Sequence, residues 1–243
     1  MIKIFKAELY KIVHLTSMKT FILLTILAFG GGAFVPVLFS ATSVKNYLFE
    51  TSDIFSFIII IMVVSLTILD YNAKTMKNIV SSGVSLPSIY LARMLSIFVM
   101  VAVTLLVAMV AGGIGAYIKL GGMGEGDVTV GTGISLVESY FLQLIYLIGI
   151  ACITHLVTTL FRNTVLSLVV SLGLSICGNM INALIEERLK IDLSGYSLPD
   201  VLDSIDKMSL SSDFFLHFGV VTGGILIICS LLGIFVFNKR SLA

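Results

Sequence analysis

Long runs of apolar residues alternate with short polar segments along the chain. The runs are at least about 17 to 20 residues long, enough to cross a hydrocarbon core of about 30 Å. They lie near residues 20–40, 54–70, 94–118, 139–160, 164–185 and 216–237. They are apolar on all sides instead of striped, which excludes a large soluble core, and they lack the alternation of barrel strands. The pattern predicts an all-α membrane protein with six transmembrane helices.

The polar segment before the first run predicts an amphipathic helix. Residues 2–14, IKIFKAELYKIVH, place apolar side chains on one helical face and the cations Lys3 and Lys6 on the other. A basic amphipathic helix just before a span can lie in the headgroup layer with its lysines near anionic lipid. Glu8 lies off the lysine face. It is expected either to pair with Lys11 three residues on or to meet another protein.

Lysine and arginine are shared unequally between alternate polar segments. With the N-terminus inside, ten fall on inner segments and five on outer ones. The inner ones are Lys3, Lys6, Lys11, Lys19, Lys74, Lys77, Arg93, Arg162, Lys239 and Arg240. The outer ones are Lys45, Lys119, Arg188, Lys190 and Lys207. Because cytoplasmic loops carry the excess of these cations, both termini are predicted to be cytoplasmic.

Composition and motifs narrow the possible chemistry. Hydrophobic residues make up 58% of the chain and charged ones 12%, about half the charge of an ordinary soluble domain. Neither G-x-x-x-x-G-K-[ST] nor G-x-G-x-x-G occurs, so the chain is not expected to be an ATP-hydrolysing enzyme itself. Cys152, Cys177 and Cys229 fall inside apolar runs and are predicted to be small buried thiols. No metal site and no nucleic-acid partner are predicted.

A few polar and small residues inside the predicted spans are candidates for a function. His155 is expected to be hydrogen-bonded to a neighbouring helix, and with Cys152 it supplies only two of the ligands that a metal site needs. A rhomboid-type protease using Ser175 and His217 is rejected, because these residues would lie at different depths of the membrane. The G-x-x-x-G of residues 219–223 permits close helix approach.

The loop between the second and third runs is basic. Residues 70–93, DYNAKTMKNIVSSGVSLPSIYLAR, contain in order an acid, a Thr, a Gly-x-Ser turn and a basic residue that enters the third run. These are Asp70, Thr75, Gly83, Ser85 and Arg93. The order resembles the permease subunits of type-2 ATP-binding-cassette (ABC) exporters, in which this loop is a coupling helix that rests on a separate ATPase subunit. The sequence departs from the family at Lys74 and Leu86, where Gly and Arg are common.

The rest of the chain is similar to the same family, and the likeness implies an organisation. KAELYKI, residues 6–12, looks like the family's elbow helix. The resemblance implies one permease domain over 1–243, with an elbow helix at 2–14, a cytoplasmic coupling loop at 71–90 and an outer segment at 186–213. The expected contacts with the ATPase subunit are Lys6, Glu8, Lys11, Asp70, Lys74, Thr75, Lys77, Asn78, Gly83, Ser85, Arg93 and Arg162.

The family likeness also implies partners and cargo. The chain would pair with a second copy or a related permease and with cytoplasmic ATPase subunits, which would hold ATP and Mg. Its size and the lack of a fused ATPase look most like the branch of Gram-positive bacteria concerned with lantibiotic immunity, bacitracin resistance and peptide-toxin export. The expected location is therefore the bacterial cytoplasmic membrane, with surrounding lipid. Because few fixed charges line the spans, an amphipathic or hydrophobic peptide cargo is expected.

Two other functions stay open on sequence grounds. An ion-coupled secondary transporter would need carboxylates or broken helices at the membrane midplane and often inverted repeats, none of which the sequence shows convincingly. A membrane anchor that recruits a cytoplasmic partner without transporting anything would use the same basic loop. Transport of any cargo would distinguish this anchor from an exporter.

Overall fold

The computed structural model describes residues 2–32, 34, 52–72, 85–121, 132–189 and 212–241, and all the regular structure in these ranges is helical. The helices are α1 (Ile2–His14), α2 (Thr16–Gly32), α3 (Ser52–Asn72), α4 (Leu86–Leu120), α5 (Thr132–Phe161), α6 (Thr164–Leu189) and α7 (Ser212–Ser241). They follow the order of the predicted amphipathic helix and the six apolar runs. The all-α fold is confirmed for this part of the chain.

Several of the helices are suited to crossing a membrane. Among the described residues, Leu86–Leu120, Gln143–Phe161 and Gly219–Lys239 are long and apolar enough to span. The pair α1 and α2, bent by 62° at Leu15, would form a fourth span if counted together. The apolar stretches Ile54–Leu69 and Thr164–Cys177 are shorter. The length and composition of these helices are compatible with a membrane protein, and the count of six spans stays a prediction.

Contacts near the helix ends show which ends lie together. Tyr90, near the start of α4, stacks on His155 near the end of α5, with ring centroids 4.9 Å apart. It also contacts Phe237 near the end of α7. His155 is hydrogen-bonded to Thr67, near the end of α3. The ends of α3, α5 and α7 and the start of α4 therefore share one end of the bundle.

The helix α1 lies at this same end, which we call the basic end. The cations with described side chains that belong to it are Lys3, Lys6, Lys11, Lys19, Arg93, Arg162 and Lys239. Lys119, in the last turn of α4, lies at the opposite end. The cations are thus concentrated on the side of the bundle where the sequence places the predicted inner segments.

Two helices begin at least seven residues before the apolar runs that predict them. α4 begins at Leu86 because Pro87 is well suited to the first turn of a helix and Ser85 has extended backbone before it. α5 begins at Thr132, ahead of the run near residue 139. Residues 71–72 and 86–90 of the predicted coupling loop are therefore helical. Residues 73–84 of that loop, and 190–211 of the predicted outer segment, lie outside the described residues.

Two glycines set close approaches between helices, and they are not the ones that the sequence indicated. A methyl group on Gly115 of α4 would collide with the backbone carbonyl of Gly30 on α2. A methyl group on Gly233 of α7 would collide with the ring and hydroxyl of Tyr90. At Gly219 and Gly223 no described atom lies within 4 Å of such a group. The close approach that this G-x-x-x-G permits is therefore not used by the described part of the chain.

Substituting Gly233 with Ala is expected to destabilise the basic end. Tyr90 is 1% exposed and is held between His155 and Phe237, so its ring cannot move aside freely. Overpacking of this kind typically costs about 1 to 3 kcal/mol. The measurement is the thermal midpoint of the detergent-solubilised protein, followed by size-exclusion chromatography of a C-terminal fluorescent fusion.

Two further variants decide whether the Tyr90 contact is the cause. Gly223→Ala, on the same helix but with open space around it, should leave the midpoint nearly unchanged. Tyr90→Ala combined with Gly233→Ala should lower the midpoint by less than the sum of the two single changes. Without the Tyr90 ring, the methyl group at position 233 has nothing to collide with. Simple additivity of the two losses would show that the residues do not share this space.

Candidate functional site at the basic end

The best-defined charged group at the basic end joins α1 to α4. Arg93 lies two turns into α4, and its Nη2 is 3.9 Å from Oε1 of Glu8 on α1. Nζ of Lys11 is 3.8 Å from Oε2 of the same carboxylate. The side chains of Glu8 and Arg93 are only 8% and 4% exposed, whereas that of Lys11 is 39% exposed. A carboxylate on α1 is thus buried between two cations.

This arrangement follows from the sequence pattern of α1. Ile12 is buried, while Lys3, Lys6 and Tyr10 are exposed, so α1 packs against the bundle by the side that carries Ile12. Glu8 comes one turn before Ile12 and therefore lies on the packed side. A buried charge must be paired, and Arg93 supplies the partner. The alternative that Glu8 pairs with Lys11 is also realised in the structure.

The environment of Lys11 differs from that of an ordinary surface lysine. Partial burial lowers the pKa of its ammonium group below the usual value. The Glu8 carboxylate opposes this effect by raising the pKa, and the nearby Arg93 guanidinium lowers it further. Both members of the buried pair, Glu8 and Arg93, thus affect the pKa of Lys11.

The structure brings together only some of the residues predicted to contact an ATPase. Glu8, Lys11 and Arg93 are adjacent, and the burial of Glu8 and Arg93 leaves them little surface for an outside partner. Lys6 is exposed on α1, and Asp70 lies in the last turn of α3. The other residues form two groups. Ser85 and Arg162 are described, whereas Lys74, Thr75, Lys77, Asn78 and Gly83 lie outside the described residues.

Ser85 and Arg162 both lie at helix boundaries. Ser85 directly precedes α4 and is exposed, with its hydroxyl 2.7 Å from that of Ser88. Arg162 follows the last residue of α5. Its backbone is in the left-handed conformation, φ +52°, which residues other than glycine seldom adopt. Asn163 then caps the start of α6, its side-chain oxygen accepting a hydrogen bond from the Leu166 amide. A two-residue turn therefore joins α5 to α6.

A second polar group lies just inside the basic end, and the sequence predicted only part of it. The expected hydrogen bond from His155 to a neighbouring helix is confirmed, since its Nδ1 is 3.0 Å from the Thr67 hydroxyl. Tyr90 was not singled out from the sequence. Its ring stacks on His155, and its hydroxyl donates a long hydrogen bond of 3.4 Å to the Cys229 carbonyl. The start of α4 is thus attached to α3 through His155, and to α5 and α7 directly.

No group of three or more metal-ligating side chains occurs within the part of the chain that the structure describes. Models of known protein families give no match to this sequence, and a search of curated proteins finds none that is similar. The resemblance to ABC permeases therefore stays a prediction.

Proposed function

We propose that the chain is the transmembrane subunit of an ATP-driven exporter of the type-2 ABC kind, powered by a separate cytoplasmic ATPase. In this proposal it has six spans with both termini inside, works as a pair of permeases, and moves an amphipathic or hydrophobic peptide outward. The observation that carries the proposal is the position of Arg93. This residue ties the helix that follows the basic loop to the N-terminal helix through Glu8.

A force applied to the basic loop would reach most of the bundle through contacts that already exist. The start of α4 comes directly after the loop and is joined to α1 by Arg93 and Glu8. Three residues before Arg93, Tyr90 contacts α5 and α7. Packed helices with fixed contacts move as units, so closure of an ATPase dimer under the loop would shift these helices together. This is the task of a coupling element.

The charge pattern supports a cytoplasmic partner on this side. Lys74 and Lys77 precede α4, and the described cations Lys3, Lys6, Lys19 and Lys239 lie exposed at the same end. Clustered lysines attract acidic surface, whether of protein or of anionic lipid headgroups. In the proposal, the loop lysines contact the ATPase together with Lys6 and Lys11 of α1, while Lys3 stays near the lipid.

The proposal is tested by co-purification. The tagged chain is extracted from native membranes in mild detergents, and mass spectrometry measures the proteins that accompany it in near-equal amount. We expect an ATPase subunit, lost when Lys74 and Lys77 are both changed to Glu because the reversed charges repel an acidic docking surface. The matched control changes Lys45 and Lys119, two cations of the predicted outer side, to Glu.

The possible outcomes separate the three functions. An ATPase that is lost with the inner reversal and kept with the outer one supports the exporter. Recovery of the chain alone in every mild detergent would favour the ion-coupled secondary transporter. An ATPase that stays bound when the inner lysines are reversed would remove the docking role of the loop. A bound partner that is not an ATPase, with no transport of any cargo, would favour the membrane anchor.

A further inference from the structure

A small cavity lies inside the bundle between α3, α5 and α6. Its volume is about 70 Å³, and its walls are mainly aliphatic, with Ile60 on the α3 side. Four hydroxyl-bearing residues also line it, namely Tyr146 and Thr154 of α5 and Ser171 and Ser175 of α6. Thr154 and Ser171 are buried, whereas Ser175 is only partly so and the neighbouring Leu174 is exposed. The cavity therefore has a closed inner end and a rim on α6.

The position of the cavity along the helices places it away from water. Thr154 is seven residues before Phe161, the end of α5, and Ser171 is seven residues after Thr164, the start of α6. At 1.5 Å per residue, both residues lie about 10 Å along the helices from the α5–α6 turn. In the proposed topology α5 and α6 both cross a hydrocarbon core about 30 Å thick, so the cavity would lie within its depth. Hydroxyl groups there depend on protein or ligand partners.

The Ser171 hydroxyl is available for a ligand. Ser171 is 3% exposed, and its Oγ has no hydrogen-bond partner among the described residues. Hydroxyls in helices commonly bond to the carbonyl four residues earlier. On α5, Thr158 and Thr159 do so. A buried hydroxyl that lines a cavity and makes no such bond calls for a specific explanation.

The size and charge of the cavity define what it can take. Its volume equals several water-sized spheres, which suits one terminal group and not a whole peptide. None of the described residues that line it is charged, so an ionised group would be left unpaired. A larger groove of about 460 Å³ along α2 and α4 is lined, among described residues, by aliphatic side chains, one phenylalanine and two glycines. That groove offers no hydrogen bond to orient a ligand.

We infer that the cavity between α3, α5 and α6 binds an uncharged amide group carried by an amphipathic molecule, with Ser171 as its hydrogen-bond partner. The assignment of this amide to the transported cargo rests on the exporter proposed above, whereas binding itself does not. The apolar walls contact the hydrocarbon part of the molecule, and the rim at Leu174 and Ser175 is where it enters.

Photolabelling of the purified full-length chain in phosphatidylcholine nanodiscs tests the inference. The probe is a decanamide with a diazirine beside the amide group, and mass spectrometry locates and counts the labelled residues. We expect saturable labelling of α5 and α6 around Thr154 and Ser171. Removing one hydrogen bond by Ser171→Ala should weaken the apparent affinity about 2- to 12-fold. Ser175→Phe, which fills the rim, should abolish labelling there.

The matched control is Ser167→Ala. Ser167 lies one turn before Ser171 on α6 and is likewise buried with an unpartnered hydroxyl among the described residues, but it does not line the cavity. Labelling should be unchanged in this variant, and a decane probe without the amide should not label saturably. Equal labelling in wild type, Ser171→Ala and Ser175→Phe would overturn the inference. So would an equal loss in Ser167→Ala.

The result is separable from the test of the exporter, because labelling requires neither ATP nor a partner subunit. The chain could show saturable, Ser171-dependent labelling and yet co-purify with no ATPase. That result would support the binding site and contradict its assignment to exporter cargo. A co-purifying ATPase together with non-saturable labelling would keep the exporter and remove this site.

Discussion

Reversing the charge of Arg93 is expected to separate α1 from α4 and to abolish any activity that depends on their joint movement. In Arg93→Glu, two carboxylates would face each other where Glu8 and Arg93 now form a buried pair. Removing one partner of a buried ion pair typically costs about 3 to 5 kcal/mol, and the reversal adds repulsion. We expect the free energy of unfolding to fall by at least this amount, or no folded protein to be recovered.

The exchanged pair provides the decisive comparison. Glu8→Arg combined with Arg93→Glu restores opposite charges and should recover part of the stability. Recovery should be incomplete because Lys11, 3.8 Å from Glu8 in the native protein, would then lie beside an arginine. Adding Lys11→Met to the exchanged pair should improve it further. The readout is the thermal midpoint of each detergent-solubilised variant.

Lys11→Met alone is the matched control for loss of a charge at this site. Its side chain is 39% exposed, and ion pairs with an exposed partner typically contribute about 0 to 1 kcal/mol. We therefore expect a small change in the midpoint. If the exchanged pair is no more stable than Arg93→Glu, the contact between α1 and α4 does not depend on complementary charge. The role of Arg93 as the link between these helices would then be lost.

The helices were the most predictable part of the fold, because their signal is local. The amphipathic pattern of residues 2–14 coincides with α1, and each apolar run corresponds to one later helix. Helix starts were less predictable, as α4 shows. There Pro87 and the extended Ser85 set the boundary, and hydrophobicity does not report on that backbone geometry.

The candidate site was predictable as a set of residues but not as a contact. Glu8 and Arg93 were both selected from the sequence, each by its place in a pattern, and nothing in one short segment shows that α1 folds back onto α4. Tyr90 gave no signal because an aromatic residue near a membrane interface is common. Its role depends on Gly233, 143 positions later, which provides the space for the ring.

Close helix contacts at glycines are likewise not predictable from local sequence alone. A G-x-x-x-G can be read from the sequence at residues 219–223, but whether another helix approaches it depends on how α7 is rotated in the bundle. The structure turns the face at Gly233 inward and leaves Gly219 exposed. A close crossing of α2 and α4 instead pairs Gly30 with Gly115, and no local pattern in either helix shows that these two glycines meet.

That crossing gives the second large expected effect. Substituting Gly115 with Leu should destabilise the protein more than any change at Gly233, because its Cβ would meet the backbone carbonyl of Gly30 and not a side chain. A backbone cannot change rotamer, so α2 and α4 would have to separate along their contact. We expect a cost at or above the upper end of the roughly 1 to 3 kcal/mol typical of overpacking.

The control for Gly115→Leu lies two residues away on the same helix. Gly113 has no described atom within 4 Å of an added methyl group, so Gly113→Ala should be neutral or slightly stabilising through its better helix propensity. Gly115→Ala should already lower the thermal midpoint, since even a methyl group reaches the Gly30 carbonyl. Equal midpoints for Gly113→Ala and Gly115→Ala would mean that α2 and α4 do not cross closely at this point.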